Sequence, residues 1–173
     1  QPGWLGGSDV AGRWRGAVAA HRDSWWSLAG LRGAAELLDA HGESDAARAA
    51  AEGAAELSAR IHKTLPASGV VPVGPGCEVD DRVVAVVDAV LVGGVSPREP
   101  WVDATVDEAR ERLVRHDGAL RRPGQEGADP YLTARFGRLE VARGEESALA
   151  RVRWLLDNAT PTWTFPELVH PHT

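Results

Sequence analysis

The sequence predicts an all-α protein of antiparallel helical hairpins, and three observations carry that prediction. Apolar residues recur at spacings of three and four along most of the chain, as on one face of a helix. Capping residues precede several of these stretches, and glycine or proline ends them. The one stretch that also suits a strand, a run of valines near residue 85, has no evident partner strand.

Residues 1–22 carry glycines at 3, 6, 7, 12 and 16 with Trp4 and Trp14 between them, an irregular approach whose aromatics dock it onto the body. A helix then starts at about residue 24, with Ser24 as its cap and Leu28, Leu31, Ala35 and Leu38 on one face. His41-Gly42 stops it, since glycine takes the left-handed conformation freely. Ser44 or Asp45 caps a second helix striped by Ala50, Ala54, Leu57, Ile61 and Leu65, and Pro66 ends it. So short a turn makes the two antiparallel.

A Gly/Pro loop runs to Glu78, and residues 80–92 are assigned as helix because Val83, Val84, Val87, Val90 and Leu91 share a face. Thr105-Val106-Asp107-Glu108 has capping-box spacing and predicts a helix over 104–116. Asp129-Pro130 predicts another over 130–143, striped by Leu132, Phe136 and Leu139. Gly144 separates it from a last helix over 145–157 that buries Leu149, Val152, Leu155 and Leu156. This gives about three hairpins joined by long loops. Hairpins of this kind pack side by side, and loops this long usually build a site.

At 173 residues the chain suffices for one domain with a real core, so 1–173 is read as a single helical segment. A formal charge of −6 argues against nucleic acid and anionic membranes as partners, and no apolar run is long enough to span a bilayer. Cys77 is the only cysteine, so no internal disulfide forms and nothing demands an oxidising compartment, which slightly favours the cytoplasm. Without a single methionine, Gln1 is not a genetic start, and the chain is expected to be a processed or excised piece. Eighteen of the 19 basic residues are arginine, which fits a GC-rich coding sequence better than a functional demand.

Candidate chemistry lies in carboxylates set among aromatics: Asp23 beside Trp25 and Trp26, and Glu167 in Trp163-Thr164-Phe165-Pro166-Glu167. Asp80-Asp81 is a third site. Glycoside cleavage needs one carboxylic acid to protonate the leaving oxygen and a second carboxylate as base or nucleophile. Aromatic faces suit the C–H faces of a sugar, and burial against them raises a carboxyl pKa, as a general acid requires. The plainer alternatives are an ordinary helix start for Asp23 and a loop carboxylate bonded to a backbone amide for Glu167. Glu167, His170 and His172 are close enough in sequence to share a metal, but no fourth ligand is signalled, so neither metal nor cofactor is expected. No phosphate-binding glycine motif follows a strand, and Cys77 has no paired histidine motif.

The order of these features resembles the six-hairpin glycosidases, the superfamily of glucoamylases, trehalases and glycogen-debranching enzymes. The resemblance rests on the Asp-x-Trp-Trp-x-Leu-x-Gly-Leu helix start, the alanine-rich hairpins, Asp129-Pro130-Tyr131-Leu132-Thr133, and the late Trp-x-x-Pro-Glu loop followed by Pro-His. It implies about half of an (α/α)6 toroid, with Glu167 and Asp23 as catalytic carboxylates. Trp25, Trp26, Trp163, Asp81 and His170 would contact an oligosaccharide or polysaccharide. Only about half of the twelve helices are present, so the resemblance implies a segment completed by the remainder of the same toroid or by self-association. The competing expectation is a non-catalytic helical-repeat module that binds protein or glycan.

Overall fold

The computed structural model describes residues 21–65, 69 and 79–170, and among them it holds six α-helices and no strand beyond isolated bridges. They are α1 (His21–Ala40), α2 (Ser44–His62), α3 (Val79–Leu91), α4 (Pro100–Arg112), α5 (Pro130–Ala142) and α6 (Ala148–Asn158). The all-α expectation is met, and the valine run at 80–92 is helical.

Neighbours in space define two layers. α1 packs on α2, α3 on α4 and α5 on α6, while α3 also touches both α1 and α5. The odd helices therefore form one layer with α3 at its centre, and each even helix backs its own odd partner. That position explains the valines. Every residue from Val83 to Ala89 is buried, which a helix with neighbours on several sides requires.

Ion pairs and loop bonds fix the directions. Arg82 at the start of α3 pairs with Glu108 near the end of α4 at 2.8 Å, so these two are antiparallel. The end of α4 meets the start of α5, since Arg121 N–H donates to Leu113 O at 2.9 Å and Leu120 N–H to Thr133 Oγ1 at 2.9 Å. Arg143 past the end of α5 reaches back to Pro97 O and Asp103 ahead of and inside α4. α3 and α5 thus run the same way.

Helix ends account for the differences from expectation. α1 is helical from His21, so Ser24 is a buried interior residue rather than a cap. Its C-terminus closes as expected: Gly42 has φ +80°, Glu43 N–H donates to Leu38 O and Gly42 N–H to Asp39 O. α2 follows Glu43, so Ser44 and Asp45 lie within its first turn, and it ends at His62, two residues short of the expected span 45–64. α4 begins four residues early because Pro100 sits ideally at a first helical position, where its missing N–H costs nothing. Thr105 is therefore interior and donates its hydroxyl to Trp101 O at 2.8 Å, and Glu108 is taken by Arg82 and Arg112. α5 starts as read: Asp129 Oδ1 accepts from Leu132 N–H at 2.9 Å.

α6 is rotated from the expected face. It buries Ala148, Arg151 and Trp154 and leaves Leu149, Val152 and Leu156 exposed. The reason is electrostatic: Glu140, fully buried, accepts the Ser147 hydroxyl on that side of the hairpin, and Arg151 turns inward to meet Glu140 at 3.2 Å.

Candidate functional site

The aromatic tail is held at the start of α5 by a short stack of chain segments. Val114 and Leu120 pair across a hairpin, with Arg115 N–H donating to Ala119 O at 2.8 Å. Asp129 N–H then donates to Leu120 O, and Ala128 and Val169 exchange both backbone bonds at 2.8 and 2.9 Å. Val169 is thereby fixed one residue from the Asp129 cap. Asp129 also accepts from Arg122 Nε at 2.6 Å, and Thr133 donates to Asp129 O at 2.7 Å. Gly127 permits the approach, because a Cβ there would lie 2.9 Å from Leu168 Cβ.

Ahead of this pairing the tail makes a tight turn. The hydroxyls of Thr160, Thr162 and Thr164 lie 2.8 to 3.2 Å from one another, Thr160 N–H donates to Thr164 O, and Trp163 N–H to Thr160 O. Trp163 takes φ +57°, which is rare for a large side chain, and its indole is 71% exposed. Phe165, Glu167 and His170 are also exposed. Tyr131, in the first turn of α5, is exposed too; it accepts a hydrogen bond from Arg135, whose guanidinium stands 5.4 Å from its ring centre. The start of α5 and the tail thus each present exposed aromatics, the tail with Glu167 among them. Aromatic rings presented in this way can take the C–H face of a sugar.

The other predicted residues lie elsewhere. Trp25 is 1% exposed and is a core side chain, edge-on to His62 with ring centres 6.2 Å apart. A Cβ on Gly93 would sit 2.4 Å from Trp25, so that glycine exists to admit the indole. Trp25 is therefore no sugar platform here; Trp26, its neighbour, is exposed. Asp23 is half-buried in the first turn of α1, where a carboxylate favours the helix dipole. It is two residues from Trp25, which meets Gly93 beyond the C-terminus of α3, whereas Glu167 is two residues from Val169 at the N-terminus of α5. The side chain of Asp81, and His172 and Cys77, lie outside the described residues; among those described, no group of three or more His, Cys, Asp or Glu is arranged to hold a metal ion. No helix among them is long and apolar enough to cross a membrane.

Sequence reasoning passed over two buried charge clusters. Asp88, buried in α3, pairs with Arg135 of α5; a lone carboxylate inside Val-Val-Ala-Val-Val-Asp-Ala-Val was the signal, since burial demands a partner. Glu140 is contacted by Arg110, Arg151 and the Ser147 hydroxyl, while Glu145 takes Arg143 and Arg110. Burial pushes the Glu145 carboxyl up, but the bonds and charges of Arg143 and Arg110 outweigh it and hold it below its ordinary value. Burial likewise pushes Arg143 down, and Glu145 and Asp103 more than restore it. These clusters join helices: Asp88 and Arg135 tie α3 to α5, and Glu140 and Glu145 tie α4, α5 and α6.

No protein-family model and no curated protein sequence matches the chain. Its fold, however, is similar to that of solved glycosidases. It superposes on a glycosidase variant with a TM-score of 0.71 at 21% identity, covering 95% of this chain and 45% of that one. A wild-type glycosidase gives 0.64 and a glycosidase variant in complex with glucose 0.65, with the same identity and coverage. The chain thus has an all-helical, glycosidase-like fold and spans less than half the length of those structures.

Proposed function

We propose that this chain is part of a carbohydrate-acting helical domain of the glycosidase type, with its sugar-facing surface on the aromatic tail. The observation that carries this reading is the placement of Trp163, exposed at a positive φ, in the same short tail as Phe165 and Glu167, on a fold similar to that of glycosidases. In this reading Trp163, Phe165 and Tyr131 stack on pyranose faces, and His170 and Trp26 border the bound chain. Glu167 acts as acid or base on the glycosidic oxygen or the attacking water. Asp23, half-buried in the first turn of α1, is the second carboxylate of this reading. The family implied is the six-hairpin (α/α)6 toroid, of which three hairpins are in hand.

The second reading is a helical module that binds glycan on the same exposed aromatics without cutting it. One experiment tests both. Isothermal titration with malto-, cello- and trehalose-type sugars is compared for the parent, Trp163→Ala and Glu167→Gln, alongside release of reducing sugar. The glycosidase reading expects Trp163→Ala to weaken binding at least tenfold, and Glu167→Gln to bind as the parent while losing turnover. Binding without turnover in the parent selects the module. Absence of both overturns the carbohydrate reading.

A further inference from the structure

Asp88 is 1% exposed, inside the run of buried residues from Val83 to Ala89. Arg135 of α5 reaches it with Nη2, and the arginine side chain is itself largely covered. Stability alone does not account for this pair, because a buried ion pair is generally no better than apolar residues of the same volume. What the pair does settle is the place of a third side chain. The other arm of the guanidinium, Nη1, donates to Tyr131 Oη at 3.0 Å, and the guanidinium carbon lies over the Tyr131 ring at 5.4 Å from its centre. Tyr131 is 48% exposed and stands one helical turn ahead of Arg135 on α5. An exposed side chain ordinarily changes rotamer on the picosecond-to-nanosecond timescale. Here a cation anchored in the core covers one face of the ring and holds its hydroxyl oxygen.

We propose that Arg135, anchored by Asp88, is a positioning residue that sets Tyr131 as a fixed ring and as a hydrogen-bond donor to a sugar oxygen. A guanidinium has no acceptor, so the phenol oxygen must accept from it, and the phenolic proton is left to point elsewhere. Accepting that bond also polarises the O–H and makes it a stronger donor. With one face of the ring under the guanidinium, a sugar stacks on the other face, and one of its hydroxyl oxygens takes the phenolic proton. Arginine suits this task because its planar fork reaches two acceptors in fixed geometry, which a lysine ammonium on a flexible stem does not. The donor role rests on the carbohydrate reading above; the immobilised ring does not.

Tyr131 is the only tyrosine in the chain, so isotope labelling of tyrosine gives one ring to observe by NMR in the intact protein. The test compares the parent, Arg135→Lys, Tyr131→Phe and the double variant. Arg135→Lys keeps a cation beside Asp88 and removes the fork, so helix content by circular dichroism is expected to persist. In the parent the Tyr131 ring should relax with the rigid body. In Arg135→Lys it should relax as a free side chain, and its Cζ resonance should move as the hydrogen bond to Oη is lost. Titration with maltotetraose and cellotetraose reads the donor role. Tyr131→Phe and Arg135→Lys should each weaken binding about fivefold, the worth of one hydrogen bond. Together they should cost no more than either alone, because both remove the same bond. A ring as mobile in the parent as in Arg135→Lys overturns the proposal. So do binding that Arg135→Lys leaves unchanged and losses that simply add. A parent that binds neither sugar defeats the carbohydrate reading and the donor role with it, whereas a rigid ring released by Arg135→Lys upholds the positioning. Should Arg135→Lys lose helix content, Asp88→Asn with Arg135→Gln removes both charges and the fork together, and is read by the same ring and the same titrations.

Discussion

The first and last hairpins are built from the same αα unit but hold together by different physics. In α1 and α2 the contact is apolar and small: Gly53 sits 3.9 Å, through an imagined Cβ, from both methyls of Leu31, and Ala47, Ala54 and Ile61 are the buried residues of α2. Its ion pairs, Arg48 with Asp45 and Arg60 with Glu56, are local and exposed. In α5 and α6 the hairpin closes around Glu140, which is fully buried, with arginines arriving from α4 and α6. The guanidinium of Arg151 also stands 5.7 Å from the centre of the Phe136 ring. One hairpin can separate without exposing a charge; the other cannot. The consequence is an uneven distribution of stability, with the tail and its aromatics attached to the tighter end.

That contrast is broken most directly at Glu140. Glu140→Ala leaves Arg151 buried with its carboxylate partner gone and removes one of the three carboxylates facing Arg110. The expected loss is about 3–5 kcal/mol, the range for breaking a buried pair by one partner. Urea denaturation of the α5–α6 region should show the midpoint collapse. A loss within about 1 kcal/mol would mean that the network is ornamental and that the two hairpins are held alike.

A second substitution acts at the other end. Gly93→Ala drives a methyl to within 2.4 Å of Trp25 and 2.8 Å of Ala89 O, and the backbone oxygen cannot move aside cheaply. The expected cost is about 1–3 kcal/mol, as for overpacking elsewhere. It should fall unequally. Hydrogen exchange should accelerate across α1 and α2 while α3 to α6 stay protected, because Trp25 and the Arg32 bond to Gly93 O fasten the first hairpin to α3. Uniform acceleration would show a single cooperative unit instead.

The same contrast explains what could be read from the sequence. α5 was legible in full because its signals are local: Asp129 caps, Pro130 starts, and Leu132, Phe136 and Leu139 are all buried. α4 was misplaced by a turn because Thr105 and Glu108 have capping-box spacing, yet their partners, Trp101 and Arg82, are settled by tertiary structure. In α6, periodicity correctly found a stripe but could not say that Arg151, compensated by Glu140, would take the interior and leave the leucines outside. The site suffered from the same blindness. Trp25 and Trp26 are adjacent, and only the start of α1 at His21 and the gap at Gly93 decide which indole goes in. The Pro-Glu tail was legible as a motif, but its docking on Ala128 depends on a residue pair 41 positions apart.

The smallest expected effect sharpens the comparison through pH. Glu108 of α4 and Glu145 ahead of α6 are both partly desolvated, which pushes their carboxyls up. Arg82 and Arg112 for one, and Arg143 and Arg110 for the other, more than offset that and hold both below the ordinary value of 4.5. A carboxyl whose folded pKa is depressed contributes stability that is fully present above 4.5 and is lost as pH falls through its lower folded value. Stability should therefore be flat from pH 7 to about 5 as far as these groups are concerned and decline below 4.5, most steeply in α4 to α6. The pair of Glu56 with Arg60 in α2 is local and exposed, a kind of ion pair worth little to stability. Urea midpoints between pH 6 and 3 measure the slope, and Glu108→Gln with Glu145→Gln should flatten it while lowering stability at neutral pH. An unchanged acid slope in that double variant would assign acid sensitivity to other carboxylates, and the charged hairpin would lose its claim to be the pH-dependent half of the molecule.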